Sequence, residues 1–173
     1  MIDFNLVISC GRNLERRARD EILRFLKKLG DDKAAAIEFG YTGLIGVKTK
    51  LDPFKVVKEI DNTVNEDPWA FRFILKVVPV EKVVPTEINK IKEAVKDLLD
   101  KIKPDETFKV QVRKRGSGIS SRELIKEVAE LVDNPVNLDK PDKIIQIEII
   151  DEHTGVAIIR PKDIVSVASK KGL

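Results

Sequence analysis

The stretch FKVQVRKRGSGISSRE, Phe108 to Glu123, gathers groups able to hold an anion. Lys109, Arg113, Lys114, Arg115 and Arg122 are basic, and no acid falls between Lys109 and Arg122. Lysine and arginine recognise phosphate oxygens through charge-assisted hydrogen bonds, arginine often with two at once. Gly116 and Gly118 remove side-chain bulk, so a phosphate can approach the amides of the loop and of a helix start at Ser120 and Ser121. Ser117, Ser120 and Ser121 add hydroxyl donors, although Ser120 is also placed to cap the helix. The plain alternative is a strand edge and a turn whose charges are simply solvated.

A strand and a helix must position these residues. In FKVQVR the alternation puts Phe108, Val110 and Val112 on a buried face and Lys109, Gln111 and Arg113 on a wet, basic one. Ser120 and Glu123 have capping-box spacing, with Ile119 and Leu124 as a hydrophobic staple, so a helix is predicted from Ser121 to about Val132. A helix with an apolar stripe from Ile88 to Ile102 comes before the strand. Two further strands follow, at 143–150 and 155–160, separated by a turn containing His153 and Gly155. The tail, KDIVSVASKKGL, is expected to form a last helical turn and then fray.

The first part of the chain repeats the alternation of strand and helix periods. FNLVIS is a buried strand, and Asn13 is placed to cap a helix over Leu14–Leu29 that Gly30 ends. AAIEFG and LIGVKT form a hairpin through Gly40, Tyr41, Thr42 and Gly43, and Asp52-Pro53 opens a second helix. A strand over 69–80 completes the order of a ferredoxin-like unit, with Trp69 and Phe71 expected in the core. The fold class is therefore α+β, a ferredoxin-like unit over 1–80 followed by a second α/β unit over 81–173. Helix one carries Arg12, Arg16, Arg17, Arg19, Arg24, Lys27 and Lys28, a cationic face with pair spacing from Glu15 to Arg19 and Asp20 to Arg24. It reads as a solvated face or as a second anion contact.

Composition excludes several classes of function. Net charge is +3, too small to establish nucleic-acid binding, and the excess lies beyond residue 67, where 20 basic face 17 acidic residues. No run of about 18 apolar residues offers a membrane span, and an acid near the amino terminus is unlike a signal peptide, so a cytoplasmic protein is expected. One Cys and one His cannot supply the ligands of a zinc deaminase, and Cys10 reads as a buried thiol. Gly116-Ser117-Gly118 continues without the Gly-Lys pair of a phosphate-binding P-loop. Gly40 to Gly43 matches the GxxG formula of KH modules but joins strands where KH needs helices. No catalytic residue, metal or cofactor is expected.

FKVQVRKRGSGISSRELIKEVAELV, followed by VNLDKPDKIIQIEII and GVAIIR, resembles the THUMP domain, an RNA-binding module of tRNA-modifying enzymes. The match runs over about 84–162, VNLDKPD being its most specific piece, and the preceding unit is similar to the ferredoxin-like domain that accompanies THUMP. The resemblance implies a module that holds the acceptor arm and CCA end of tRNA, with Arg113, Lys114, Arg115 and Arg122 facing RNA and Ser121 at the helix start. Lys143 and Arg160 are further candidates on the same ground, while Pro141 and Asp142 are expected to shape a turn. The residues beyond Lys162 are too few for an enzyme domain, so the resemblance points to the stand-alone adaptor of a separate tRNA cytidine acetyltransferase. A protein-interaction scaffold with a vestigial RNA site is the alternative.

Overall fold

Leu6–Cys10 (β1) is apolar with little alternation, the pattern of a strand inside a sheet rather than at its edge. The computed structural model, which describes residues 2–173, places β1 at the centre of a five-stranded sheet. It pairs antiparallel with Leu44–Lys48 (β3) on one side and Ile74–Pro79 (β4) on the other, and Ala35–Glu38 (β2) extends the sheet beyond β3. The helices Glu15–Lys28 (α1) and Pro53–Glu66 (α2) bury Ala18, Ile22, Leu26, Val57, Ile60 and Val64 in one core with Leu6, Ile8, Ile45 and Ile74. This is the expected βαββαβ order.

Local chemistry sets the boundaries. At Gly30, with φ 112°, the amide donates to the Lys27 carbonyl while the Asp31 amide donates to the Leu26 carbonyl, a Schellman ending of α1. The Asp52 carboxylate accepts from the Phe54 amide at 2.9 Å, with Pro53 as the first helical residue. Asn13 is not the cap of α1: it takes a left-handed φ of 64°, and Leu14 holds the cap position without a side-chain bond. At Gly43, φ is 78° and a Cβ would meet the Cys10 carbonyl at 2.9 Å, so the hairpin turn requires glycine. Burial pushes the nearby Cys10 thiol up to about 11, with Glu15 adding to the shift, which leaves it inert at neutral pH.

Two compact units divide between Val80 and Glu81, but the tail does not belong where the sequence places it. Residues Lys162–Leu173 join the first unit. Val165–Ser166 (β9) pairs with β4, and Val165 and Val167 enter the first core, followed by Val167–Lys170 (α5). The reason is the open edge of β4, whose unpaired groups gain partners when a returning segment covers them.

The second unit begins with Lys82–Pro85 (β5), a short strand that the flanking prolines hide in the sequence. Ile88–Leu98 (α3) and a 3-10 turn over Leu99–Lys101 lead to Phe108–Arg115 (β6). Ser121–Ala129 (α4), Lys143–Ile150 (β7) and His153–Ile159 (β8) complete a sheet of order β5-β8-β7-β6. Only β6 and β7 run parallel, from Phe108 opposite Lys143 to Arg115 opposite Ile150. His153 starts β8 instead of sitting in the turn, which Asp151 and Glu152 make, and Trp69 is 62% exposed instead of buried.

Asp31 ties the first unit together. It is buried, and its carboxylate accepts from the Thr49 hydroxyl at 2.5 Å, the Lys50 amide at 2.9 Å and the Lys33 amide at 3.1 Å. The Thr49 bond, then the amides, hold its carboxyl below the usual range. A lowered folded value contributes stability that is complete above about pH 4 and is lost as pH falls through the depressed value. Denaturant titrations should show Asp31→Asn less stable by about 1–3 kcal/mol at pH 7 and less sensitive to acid than the parent. Equal acid sensitivity would remove Asp31 from this role.

Candidate functional site

A parallel strand pair forces the chain to leave one end of the sheet and return to the other. Here α4 makes that crossing between β6 and β7, packing Leu124 and Val128 into the second core. Its first turn consequently stands at the end of the sheet where β6 stops, the place at which strand–helix junctions bind ligands. The basic strand end, the glycine loop and the helix start are brought together by this topology.

The loop is held in one shape. Gly116 takes a φ of 72°, Lys114 Nζ donates to the Ile119 carbonyl at 2.9 Å, and the Ile119 amide donates to Ser117 Oγ at 3.2 Å. Ser120 Oγ accepts from the Glu123 amide at 3.2 Å, and Ile119 and Leu124 join the same apolar cluster, so the serine cap and the staple form while the Glu123 side chain does not return to the Ser120 amide to complete the box. Ser120 is therefore occupied as a cap, while the amides of Ser121 and Arg122 open the helix without intrahelical acceptors. Gly118 has open space where a Cβ would sit and a φ outside the left-handed region, so only Gly116 needs to be glycine.

Arg113, Lys114 and Arg122 are exposed around this loop, with Ser121 half-buried beside them. Arg115 has a second task. Its Nη1 donates to Glu148 Oε1 at 2.9 Å, and that carboxylate is only 3% exposed. Gln146 Nε2 donates to Glu148 Oε2 at 2.5 Å, and Gln111 Nε2 donates to Gln146 Oε1 at 2.9 Å. A polar chain from Gln111 to Arg115 thus runs across β6 and β7 on the face opposite Phe108.

Lys143 and Arg160 lie elsewhere. Lys143 pairs with Phe108 at the start of β6, seven residues or about 23 Å from Arg115, and Arg160 follows Ile159, whose partner Ile144 is at that same far end. Lys143 Nζ donates to the Lys101 carbonyl at 2.7 Å and Glu106 Oε1 at 2.8 Å, so it holds the turn before β6 and does not reach the loop. That bond from Lys143, then one from the Lys103 amide, keeps the Glu106 carboxyl low. Asp142 is lowered by the Thr107 amide and hydroxyl, which it accepts at 2.9 and 3.1 Å, consistent with a turn-shaping role for Pro141-Asp142.

Sequence spacing missed one neighbour. The Asp151 amide donates to the Arg115 carbonyl at 2.9 Å, so the β7–β8 turn closes against the end of β6. The left-handed φ of 53° at Asp151 is the associated backbone feature, and aspartate is among the residues that tolerate it. Chemically, the strand end, loop and helix start offer guanidinium, ammonium, hydroxyl and amide donors able to hold an oxyanion, Lys114 on the α4 face of β6 and Arg113 on the opposite one. Arg115→Ala should cost about 3 kcal/mol in denaturant unfolding, because Glu148 is left buried without its cation. Arg113→Ala should change stability by less than about 0.5 kcal/mol. Equal losses would refute the division of labour between the two arginines.

Comparison with known proteins agrees with this architecture. The family model described as THUMP domain matches residues 85–159. The chain is 30% identical over 143 residues to the uncharacterized protein MJ0421 of Methanocaldococcus jannaschii, covering 79% of this chain and 37% of that protein. The crystal structure of PH1313 from Pyrococcus horikoshii superposes with a TM-score of 0.69 at 19% identity, over 95% of this chain and 55% of that one. A 4-thiouridine synthetase crystallised with RNA and ATP superposes with a TM-score of 0.59 at 17% identity, over 95% of this chain and 42% of that one. The chain therefore spans about half or less of the length of these relatives. The THUMP family match thus falls on the unit that carries the strand–loop–helix site, and the likeness to the solved structures extends the shared fold over nearly the whole chain.

Proposed function

We propose that the protein binds tRNA through its THUMP domain, holds the acceptor arm and CCA end, and presents the RNA to a separate modifying enzyme, a tRNA cytidine acetyltransferase. The observation that carries the reading is the run of exposed cations at one end of the sheet, Arg113 and Lys114 at the end of β6 and Arg122 in the first turn of α4, beside helix amides that lack intrahelical acceptors. The 4-thiouridine synthetase that shares this fold was crystallised as an RNA complex, which supports RNA as the ligand. Phe108 is buried and no other aromatic residue lies in the second unit, so contact is with backbone oxygens and shape rather than stacked bases.

The groups at the loop are donors and cations suited to binding, which supports a holding role, with chemistry supplied by the partner. Binding through phosphates releases counterions, so affinity should fall steeply with salt. Replacing Arg113, Lys114 and Arg122 together by Ala should weaken tRNA binding and reduce the slope of log K against log salt by about 2–3, roughly 0.9 for each phosphate no longer neutralised. The same variant should fail to stimulate tRNA acetylation when mixed with the acetyltransferase, whereas the parent protein stimulates it. An unchanged salt slope would place RNA elsewhere, and no stimulation by the parent would remove the acetyltransferase as partner.

A further inference from the structure

The first unit holds a second concentration of charge that the THUMP site does not use. An open groove of about 440 Å³ lies among α1, Thr63 of α2 and the loop 70–73. Arg17, Arg24, Lys28 and Arg72 line it, and none of the four has a carboxylate partner among the described residues. The pairing expected between Asp20 and Arg24 does not form; Asp20 lies 3.6 Å from Arg19 instead. Glu21 is also committed, accepting from the amides of Arg72 at 2.7 Å and of Phe73 and Ile74 at 3.1 Å each. Both acids in the groove are thus engaged, while none of its four cations is paired with a carboxylate among the described residues.

The floor is apolar. Phe25 and Phe71 meet edge to face at 5.1 Å, and Ala70 lies exposed beside them. The guanidinium carbons of Arg17 and Arg72 sit 5.6 and 5.7 Å from the centre of the Phe73 ring. Two like charges gathered at one ring repel each other, a cost that an anion in the groove relieves. Trp69, one residue before Ala70, is 62% exposed, with Lys171 Nζ 4.8 Å from its ring centre.

From these observations we infer that this groove docks an acidic segment of a partner protein, with carboxylates on the arginines and an apolar side chain on the phenylalanine floor. An aromatic floor rimmed by arginine is the composition of a protein-interface centre. RNA is the weaker occupant, because a base would have to stack where Arg17 and Arg72 already lie over the Phe73 ring, and Phe71 is only 3% exposed. The inference gives the adaptor reading a partner-facing surface and rests on that reading for the partner's existence.

The test uses a fluorescent peptide of glutamates flanking leucines, the same peptide with glutamine for glutamate, and oligouridylate, each titrated into the full chain. The acidic peptide should bind best, and Arg24→Glu with Arg72→Glu should weaken it by roughly tenfold or more, since both changes place like charges against the ligand. Both side chains lie outside the core, and Lys28→Glu provides a second variant with the same expectation. Intact tRNA should bind parent and variants with affinities within about twofold, a residual difference allowed for long-range attraction. Equal binding of the acidic and glutamine peptides, or unchanged binding by the variants, overturns the inference. So does oligouridylate or tRNA losing affinity as the peptide does, which makes the groove a nucleic-acid contact. Absence of tRNA binding by the parent would instead refute the adaptor reading.

Discussion

The carboxylate of Glu148 sets the constraint on which the candidate site depends. A charge that is 3% exposed on a buried strand must be paired, and Arg115 and Gln146 satisfy its two oxygens. Because Arg115 is the last residue of β6, the pair fixes the point from which the glycine loop departs. The parallel register of β6 on β7 then determines where the loop must go, and α4 starts at the end of β6, where Lys114 reaches the Ile119 carbonyl just before the helix cap. Phosphate recognition needs donors that are already in place, since each mobile side chain loses rotamer freedom when it binds. Here an internal ion pair, a helix cap and a lysine-to-carbonyl bond provide that order.

The cations of the chain consequently have unlike roles that net charge does not reveal. Lys143 directs its donors to the Lys101 carbonyl and Glu106 to shape the entry to β6, and Arg115 neutralises a buried acid. Arg113 and Arg122 remain exposed at the loop. In the first unit the same contrast separates Lys48, paired with Asp3 at 3.0 Å, from the groove arginines Arg17 and Arg72, which lean on a phenylalanine ring. Charge density in a sequence locates candidate surfaces, but the acids that cancel it arrive from other elements.

Features written in neighbouring residues were readable directly. The alternation of FKVQVR, the Ser120 cap and the glycine ending α1 each depend on interactions within a few positions, and each stands in the structure as the spacing implies. Features decided by distant partners were not. The tail from Lys162 pairs with β4, Glu15 turns from Arg19 because its carboxylate accepts the Gly43 amide at 2.8 Å, and Lys143 turns towards Glu106. Trp69 misleads for the same reason: apolar character suggests burial, yet the ring lies exposed, with Lys171 near its face. The strand end, loop and helix start were thus legible, while their supporting bonds and the distance of Lys143 and Arg160 from the loop required the register of β6, β7 and β8.

The central claim, recognition of the acceptor end of tRNA by the THUMP domain, is tested most directly by comparing an intact tRNA with the same tRNA lacking its CCA end across a salt series. The account predicts a loss of affinity on CCA removal that persists as salt rises and general attraction fades. Equal affinity for the two RNAs at every salt concentration would contradict it.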